Sequence, residues 1–314
     1  MEITIQTKGI SKKYRSQKGR LALNDINLSV QKGSLFGLIG SDGAGKTTLL
    51  RILSTVLPAS SGSATLAGLD VRKQAEDIRK ILGYMPQEFS QYQDLSLQEN
   101  LNFFADIQQV PKAQKKERID QMLEFTQLTK FRDRPAGKLS GGMKKKLALA
   151  CAMVHNPQVL ILDEPSTGVD PVSRGEFWNI LASIIKDGVT VLISTPYMDE
   201  ADRCNEVGML YEGSLLQTGK PEEITHALPF VTLEVKASPR KRMREIVDQN
   251  PRVLNWNPVG DRLRVAINSG DQDELMQNLR RQFDAEGMPV HVLRPVRKTM
   301  DDAFIDMVSS QKGA

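Results

Sequence analysis

Apolar residues along this chain fall into three kinds of run. Residues 3–7 and 22–30 alternate apolar with polar, the period of a half-buried strand. Ser34 to Ile39 (SLFGLI) and Val159 to Glu164 (VLILDE) are short and nearly all apolar, as strands buried on both faces are. Val189 to Ile193 reads the same way and should stop at Ser194-Thr195, after which Pro196 follows. Lys32-Gly33 makes a turn, and residues 64–69 and 81–85 are predicted as further strands. Residues 97–107, 112–127 and 141–155 have helical spacing, with Pro111 and Pro135 as breaks. Buried strands alternating with helices predict an α/β core.

From Pro229 the pattern changes. FVTLEV is a strand, 239–250 a helix, VLNWN and RLRVAI two strands, 271–287 a helix and PVHVL a strand. That is β-α-β-β-α-β, the ferredoxin-like order. A last helix runs from Thr299 to Val308 (TMDDAFIDMV). The expected organisation is a first domain over residues 1–228 and a small C-terminal α+β domain over 229–314, the latter without a catalytic constellation.

The strand at 34–39 runs into GSDGAGKTTLLRIL, a glycine-rich turn entering a helix. Gly40, four residues, then Gly45-Lys46-Thr47 is the phosphate-loop spacing in its proper strand–helix context. Across Gly40, Ser41, Asp42, Gly43, Ala44 and Gly45 the backbone can curl its N–H groups around phosphate oxygens, and the helix offers its positive end to the same anion. Lys46 supplies a point charge for the β and γ phosphates, and the Thr47 hydroxyl a ligand for magnesium. VLILDE ends in two carboxylates, costly to bury without a purpose. Beside a phosphate loop, Asp163 can hold magnesium, directly or through water, and Glu164 can polarise the attacking water as general base.

KLSGGMKKKLALA suggests a second anion site. Ser140 is a good N-cap, and Gly141 and Gly142 leave the helix amides bare. Lys144, Lys145 and Lys146 crowd the first turn, where each opposes the helix dipole by roughly 0.3–1 kcal/mol. An anion docked there would offset that cost.

Composition narrows the class. Lys+Arg 42 against Asp+Glu 38 in 314 residues is too balanced for a nucleic-acid coat, and aromatics at 5% leave few stacking platforms, so no nucleic-acid partner is expected. Two cysteines, Cys151 and Cys204, fit a reducing compartment and read as small buried hydrophobes. No segment has the apolar length of a membrane helix, and MEITIQTK has no signal-peptide core. A soluble, cytosolic chain is expected, any membrane role coming through a partner.

Taken together, the motifs resemble the ATP-binding cassette of a transporter, over roughly residues 3–228. GSDGAGKTT resembles the Walker A loop and extends it to Thr48. YMPQ ends in Gln87, the Q-loop position. LSGGM resembles the signature, with Met143 where glutamine is commoner; VLILDE resembles Walker B; STGVD, ending at Asp170, resembles the D-loop. Tyr14 stands where the family stacks an aromatic on adenine. The resemblance implies a P-loop NTPase core of ABC type, with an antiparallel β subdomain and a helical signature subdomain. It implies ATP and magnesium as ligands, with Gln87 assisting both catalysis and the metal. Two cassettes, identical or unlike, would pair head to tail and sandwich ATP between the Walker A loop of one and the Ser140 helix of the other, Asp170 joining that site. Hydrolysis would drive an integral-membrane permease, holding the chain at the inner face of the cell membrane. The segment after Gln87 is where such cassettes receive their permease. Exporter cassettes that resemble this chain often carry a similar tail, which implies dimer contact or regulation.

One position departs from the pattern. The family's strand after the D-loop ends in a histidine that hydrogen-bonds the γ phosphate, and here Pro196 occupies that place. Proline has no side-chain donor and no N–H. Losing a preorganised donor of this kind costs about 10²–10³ in rate, unless Thr195 or Tyr197 substitutes. The other readings are therefore a hydrolysis-impaired regulatory half of an asymmetric pair, and a soluble cassette ATPase acting on ribosome or DNA. Against the last, no long coiled-coil insert fits between Lys46 and Ser140, and there is one cassette rather than two.

Overall fold

A computed structural model describes residues 2–14 and 21–312. The chain divides into two compact units at Lys220–Pro221.

The first unit opens with β1 (Ile3–Lys13) and β2 (Leu21–Gln31), an antiparallel pair. Next come β3 (Leu35–Ile39), α1 (Lys46–Leu53), β4 (Ser61–Leu66), β5 (Leu69–Asp70), α2 (Ala75–Ile81) and β6 (Leu82–Met85). Three helices follow: α3 (Leu97–Ile107), α4 (Lys112–Phe125) and α5 (Gly141–Met153). The unit closes with β7 (Val159–Asp163), α6 (Pro171–Lys186), β8 (Thr190–Thr195), β9 (Glu206–Tyr211) and β10 (Ser214–Gly219).

Two sheets result. The larger runs β10-β9-β3-β8-β7-β6 and is parallel from β9 to β6, with β10 antiparallel at its edge. Every residue of β3, β7 and β8 is buried, the outcome expected of near-continuous apolar runs covered on both faces. The smaller sheet, β2-β1-β4-β5, is antiparallel, and β2 alternates buried with exposed residues, as its sequence does. Leu49, Leu50 and Leu53 of α1 pack with Ile5, Leu28, Phe36 and Ile161 into one core that joins the sheets. The single strand expected over 64–69 is broken, because Ala67 and Gly68 take positive φ (49° and 80°) and turn β4 back into β5. The helix α2 was not anticipated.

The second unit holds α7 (Pro221–His226), β11 (Phe230–Ala237), α8 (Arg240–Asp248), β12 (Val253–Val259), β13 (Arg262–Asn268), α9 (Gln272–Ala285), β14 (Val290–Val296) and α10 (Met300–Lys312). Its sheet order, β12-β13-β11-β14, is antiparallel throughout and is the ferredoxin-like arrangement. The sequence drew a boundary at residue 228. The compact unit starts earlier because α7 is tied to the segment entering α10: Glu222 meets Arg297 at 3.3 Å, and Lys298 donates to the His226 and Leu228 carbonyls at 3.1 and 2.8 Å. Asp302 on α10 accepts from Arg264 of β13 at 2.7 Å and from the Thr299 amide at 2.9 Å, which fixes the last helix.

Cys151 and Cys204 are free and buried. Burial pushes both thiols up, Cys204 to about 12. Among the described residues no helix is long and apolar enough to cross a membrane.

Candidate nucleotide site

The carboxyl ends of β3 and β7 deliver the phosphate-loop residues and the acidic pair to one place. Between β3 and α1 the loop wraps Lys46, whose Nζ donates to the carbonyls of Gly40 at 2.8 Å and Ser41 at 3.1 Å. Gly40 (φ 159°) approaches the chain so closely that a Cβ there would lie 2.2 Å from the Leu210 carbonyl oxygen. Ser41, Asp42 and Gly43 are exposed, whereas the Lys46 side chain is only 3% exposed. Its ammonium is 3.3 Å from Glu164 Oε1, so the Walker A cation and the expected base form a buried pair.

The acidic pair splits into two environments. Asp163 is fully buried. Its Oδ1 accepts from Thr47 at 3.1 Å and from Ser194 at 2.6 Å, while Oδ2 has no hydrogen-bond partner. A buried carboxylate oxygen left free beside a threonine hydroxyl fits a cation, since buried charges are paired or bind metal. Magnesium at this point would be held by Thr47 and Asp163, a hard oxygen set of the kind it takes beside nucleotide phosphates. Glu164 has φ 48°, in the left-handed region that a residue with a Cβ rarely adopts. Ser194 Oγ accepts its amide at 3.0 Å and Gln87 Nε2 donates to its Oε2 at 2.8 Å. Gln87 thus lies against the base, and its amide is not bonded to Thr47 or Asp163, the two other expected metal ligands.

Lys46, Thr47, Gln87 and Glu164 border a cleft of about 820 Å³, lined also by Tyr14, Thr48 and Glu212, with Asp163 buried behind Thr47. Tyr14 Oη is 3.3 Å from Thr48 Oγ1, so the aromatic expected to stack on adenine stands at the mouth of the phosphate loop.

Ser140, Gly141, Gly142 and Asp170 do not line this cleft. Ser140 Oγ accepts the Met143 amide at 3.3 Å as the α5 N-cap. Asp170 Oδ1 caps α6 by accepting from Val172 and Ser173 at 3.1 and 3.0 Å, and the Ser173 amide leads in holding its carboxyl below the usual range. Gly142 also serves packing: a Cβ there would meet Ser173 Cβ at 2.5 Å.

The three lysines of α5 find partners inside the chain, so no docked anion is needed to account for them. Lys146 pairs with Glu176 at 2.7 Å, and Lys144 lies 5.5 Å from the centre of the Phe89 ring. Lys145 donates to the carbonyls of Gln87 at 3.0 Å and Glu164 at 3.3 Å. Burial holds its ammonium below the usual lysine range, against the opposing pull of Glu164 and Asp163. Ser194 and Lys145 were not identified from sequence as site residues. Ser194 carried a signal, since it ends a buried parallel strand on the ligand side of the sheet.

The sequence profile of the ABC transporter family matches residues 23–167. A probable multidrug ABC transporter ATP-binding protein, YbhF, of Escherichia coli (strain K12) is 37% identical over 310 residues, which cover 98% of this chain and 52% of the relative. The chain thus spans about half the length of that relative. The daunorubicin resistance ATP-binding protein DrrA2 of Streptomyces coeruleorubidus is 32% identical over 304 residues, covering 96% of this chain and 94% of the relative. Among solved structures, cbiO1 of Clostridium perfringens, part of the ABC transporter complex cbiONQ, superposes with a TM-score of 0.65 at 27% identity, covering 80% of this chain and 97% of that one. A post-hydrolysis dimer of the cassette MJ0796 bound to ADP and Pi shares the fold at a TM-score of 0.64 and 22% identity, over 69% of this chain and 98% of its own.

Proposed function

The chain belongs to the ATP-binding cassette family of ABC transporters, and from that premise we propose that it is the ATP-binding subunit of a membrane exporter, a magnesium-dependent ATPase working through a separate permease. The observation that carries this reading is the convergence of Lys46, Thr47, Glu164 and Gln87 at the edge of one cleft, with Asp163 buried against Thr47, through bonds of 2.8–3.3 Å. Lys46 neutralises the β and γ phosphates of ATP, and loop amides orient them. Thr47 and Asp163 hold magnesium, which screens phosphate charge when bound. Glu164 takes a proton from the attacking water, and Gln87 orients that carboxylate.

The bare α5 end and the Asp170 cap lie outside this cleft, which supports a second cassette, identical or unlike, closing over the nucleotide from the other side. The test is a titration of the purified chain with ATP and magnesium, followed by sizing with and without nucleotide. Dimer formation that depends on ATP is expected; ATP binding without any change of size would overturn the paired reading.

For the permease, we propose the cavity of about 230 Å³ lined by Tyr84, Gln91, Phe104, Gln108, Cys151 and His155. Gln91 Oε1 and His155 Nδ1 are buried there without partners. His155 Nε2 lies 3.1 Å from the Leu82 carbonyl and must donate to it, which leaves Nδ1 as an acceptor. The Tyr84 hydroxyl beside them is also without a partner, so the cavity favours a permease side chain that both donates and accepts. His155→Phe with Gln91→Leu should lower recovery of the permease with tagged chain while ATP binding persists; undiminished recovery would exclude this cavity.

The substitution at Pro196 favours a second reading, a slow half-site paired with an unlike cassette. The second unit, residues 221–314, we assign to dimer contact or regulation, and the whole chain to the inner face of the membrane through its permease.

A further inference from the structure

We infer that Lys145 is a positioning residue that links the two nucleotide-facing surfaces of one chain, a role that rests on the ATPase reading above. Lys145 sits little more than one turn into α5 from Ser140, the residue that caps the helix end expected to face a second cassette's nucleotide. Its side chain reaches the backbone of two residues that line this chain's own cleft, without lining the cleft itself. A single ammonium binds the backbone carbonyls of Gln87 at 3.0 Å and Glu164 at 3.3 Å. Those two residues come from the ends of different strands, β6 and β7, and their side chains meet at 2.8 Å. Lys145 therefore clamps from behind the two residues whose side chains touch in front.

The clamp answers a strain at Glu164. Its φ of 48° is left-handed, and such a conformation persists only where neighbours hold it. The amide is held by Ser194 Oγ at 3.0 Å, and the carbonyl by Lys145 and by the Thr167 amide at 3.3 Å. Of these holds, Lys145 alone reaches in from α5. When α5 shifts, as on pairing with a second nucleotide, Gln87 and Glu164 shift with it; when phosphate moves them, the Ser140 end responds. No side chain need cross the cleft for one half-site to sense the other.

The test compares Lys145→Met, which keeps the stem and removes the donors, with Lys145→Arg, which keeps the cation. Lys145→Met should leave the Kd for ATP within about threefold and lower kcat by about 10², the loss typical of a catalytic group displaced by an ångström. Lys145→Arg should restore most of it. A second readout does not need turnover. Hydrogen exchange should quicken together in peptides covering residues 84–92 and 160–168 of Lys145→Met, with residues 195–203 unchanged. Unaltered exchange in both peptides, or an Lys145→Arg variant as impaired as Lys145→Met, would overturn the link. Altered exchange in a chain that hydrolyses no ATP would locate the failure in the ATPase reading, with the clamp intact.

Discussion

The hydroxyl of Thr195 donates to Glu200 Oε2 at 2.5 Å, and both residues are fully shielded from water. The other oxygen of Glu200 accepts from Arg174 Nε at 2.7 Å and from Trp178 Nε1 at 3.2 Å. Thr195 has one proton to give and has given it; its oxygen also accepts the Tyr197 amide at 3.1 Å. The Tyr197 ring lies 5.0 Å from the Arg174 guanidinium, which draws it toward α6. Pro196 thus follows a residue whose one hydroxyl proton is committed to Glu200, which argues against Thr195 as the stand-in for the imidazole that the family pattern puts at 196.

Pro196→His should therefore raise turnover, by up to the roughly 10²–10³ that a preorganised phosphate donor is worth. The comparison is steady-state ATPase with magnesium at saturating ATP. Fast hydrolysis by the natural chain that histidine does not increase would show that another donor already serves.

Thr195→Val separates structure from catalysis at the neighbouring position. Valine keeps the shape and removes the bond to Glu200, at a cost of about 1–3 kcal/mol in stability. Turnover should stay within about twofold. A rate loss much larger than that, in a variant that denatures at nearly the natural midpoint, would make Thr195 the substitute donor after all.

Lys46 is more deeply set than its sequence context suggests. As a phosphate ligand alone, Lys46 would lose ATP and nothing else on substitution by alanine. The buried pair with Glu164 adds a second effect, because removing one partner strands the other charge, at up to about 3–5 kcal/mol. Both losses are expected, and titration with ATP plus thermal denaturation measure them. Unchanged affinity would end the phosphate-loop reading; an unchanged melting midpoint would show that Glu164 finds other company.

How much of this could be read from the chain depended on whether the interaction was local. The phosphate loop, VLILDE and the Ser140 cap are each contiguous, and their residues land as spacing and strand ends imply. The ferredoxin-like order of the second unit was legible because each strand and helix announces its own period. What escaped is built from distant residues: Ser194 on Asp163 spans 31 positions and Lys145 on Gln87 spans 58. The lysines of α5 looked like an unpaid dipole cost because their partners lie on other elements. The break between β4 and β5 escaped for the opposite reason, a two-residue turn inside an otherwise apolar run.

The second unit offers a test of independence. Cutting the chain after Lys220 should leave a folded core that binds ATP, since Lys46, Thr47, Asp163 and Glu164 all lie upstream. Circular dichroism and titration read the outcome, and weaker dimerisation is the expected defect. A truncated chain that unfolds or loses ATP would make the second unit part of the core.

Glu164→Gln addresses chemistry and binding at once. The carboxylate is expected to take the proton from water, so an amide should lower kcat by about 10²–10⁴. The structure adds a consequence for affinity. Lys46 Nζ is paired with Glu164 Oε1 at 3.3 Å, so a γ phosphate reaching that ammonium competes with the carboxylate. Glutamine removes the competing charge and keeps an oxygen for the Gln87 amide, which now donates at 2.8 Å. The Kd for ATP should therefore fall rather than merely persist, and the ATP-bound dimer should accumulate. Titration of both proteins with ATP and magnesium, beside a turnover assay and sizing, reads all three effects. Natural turnover in the variant would remove Glu164 as the base, and weaker ATP binding would mean that the Lys46–Glu164 pair helps the phosphate in rather than competing with it.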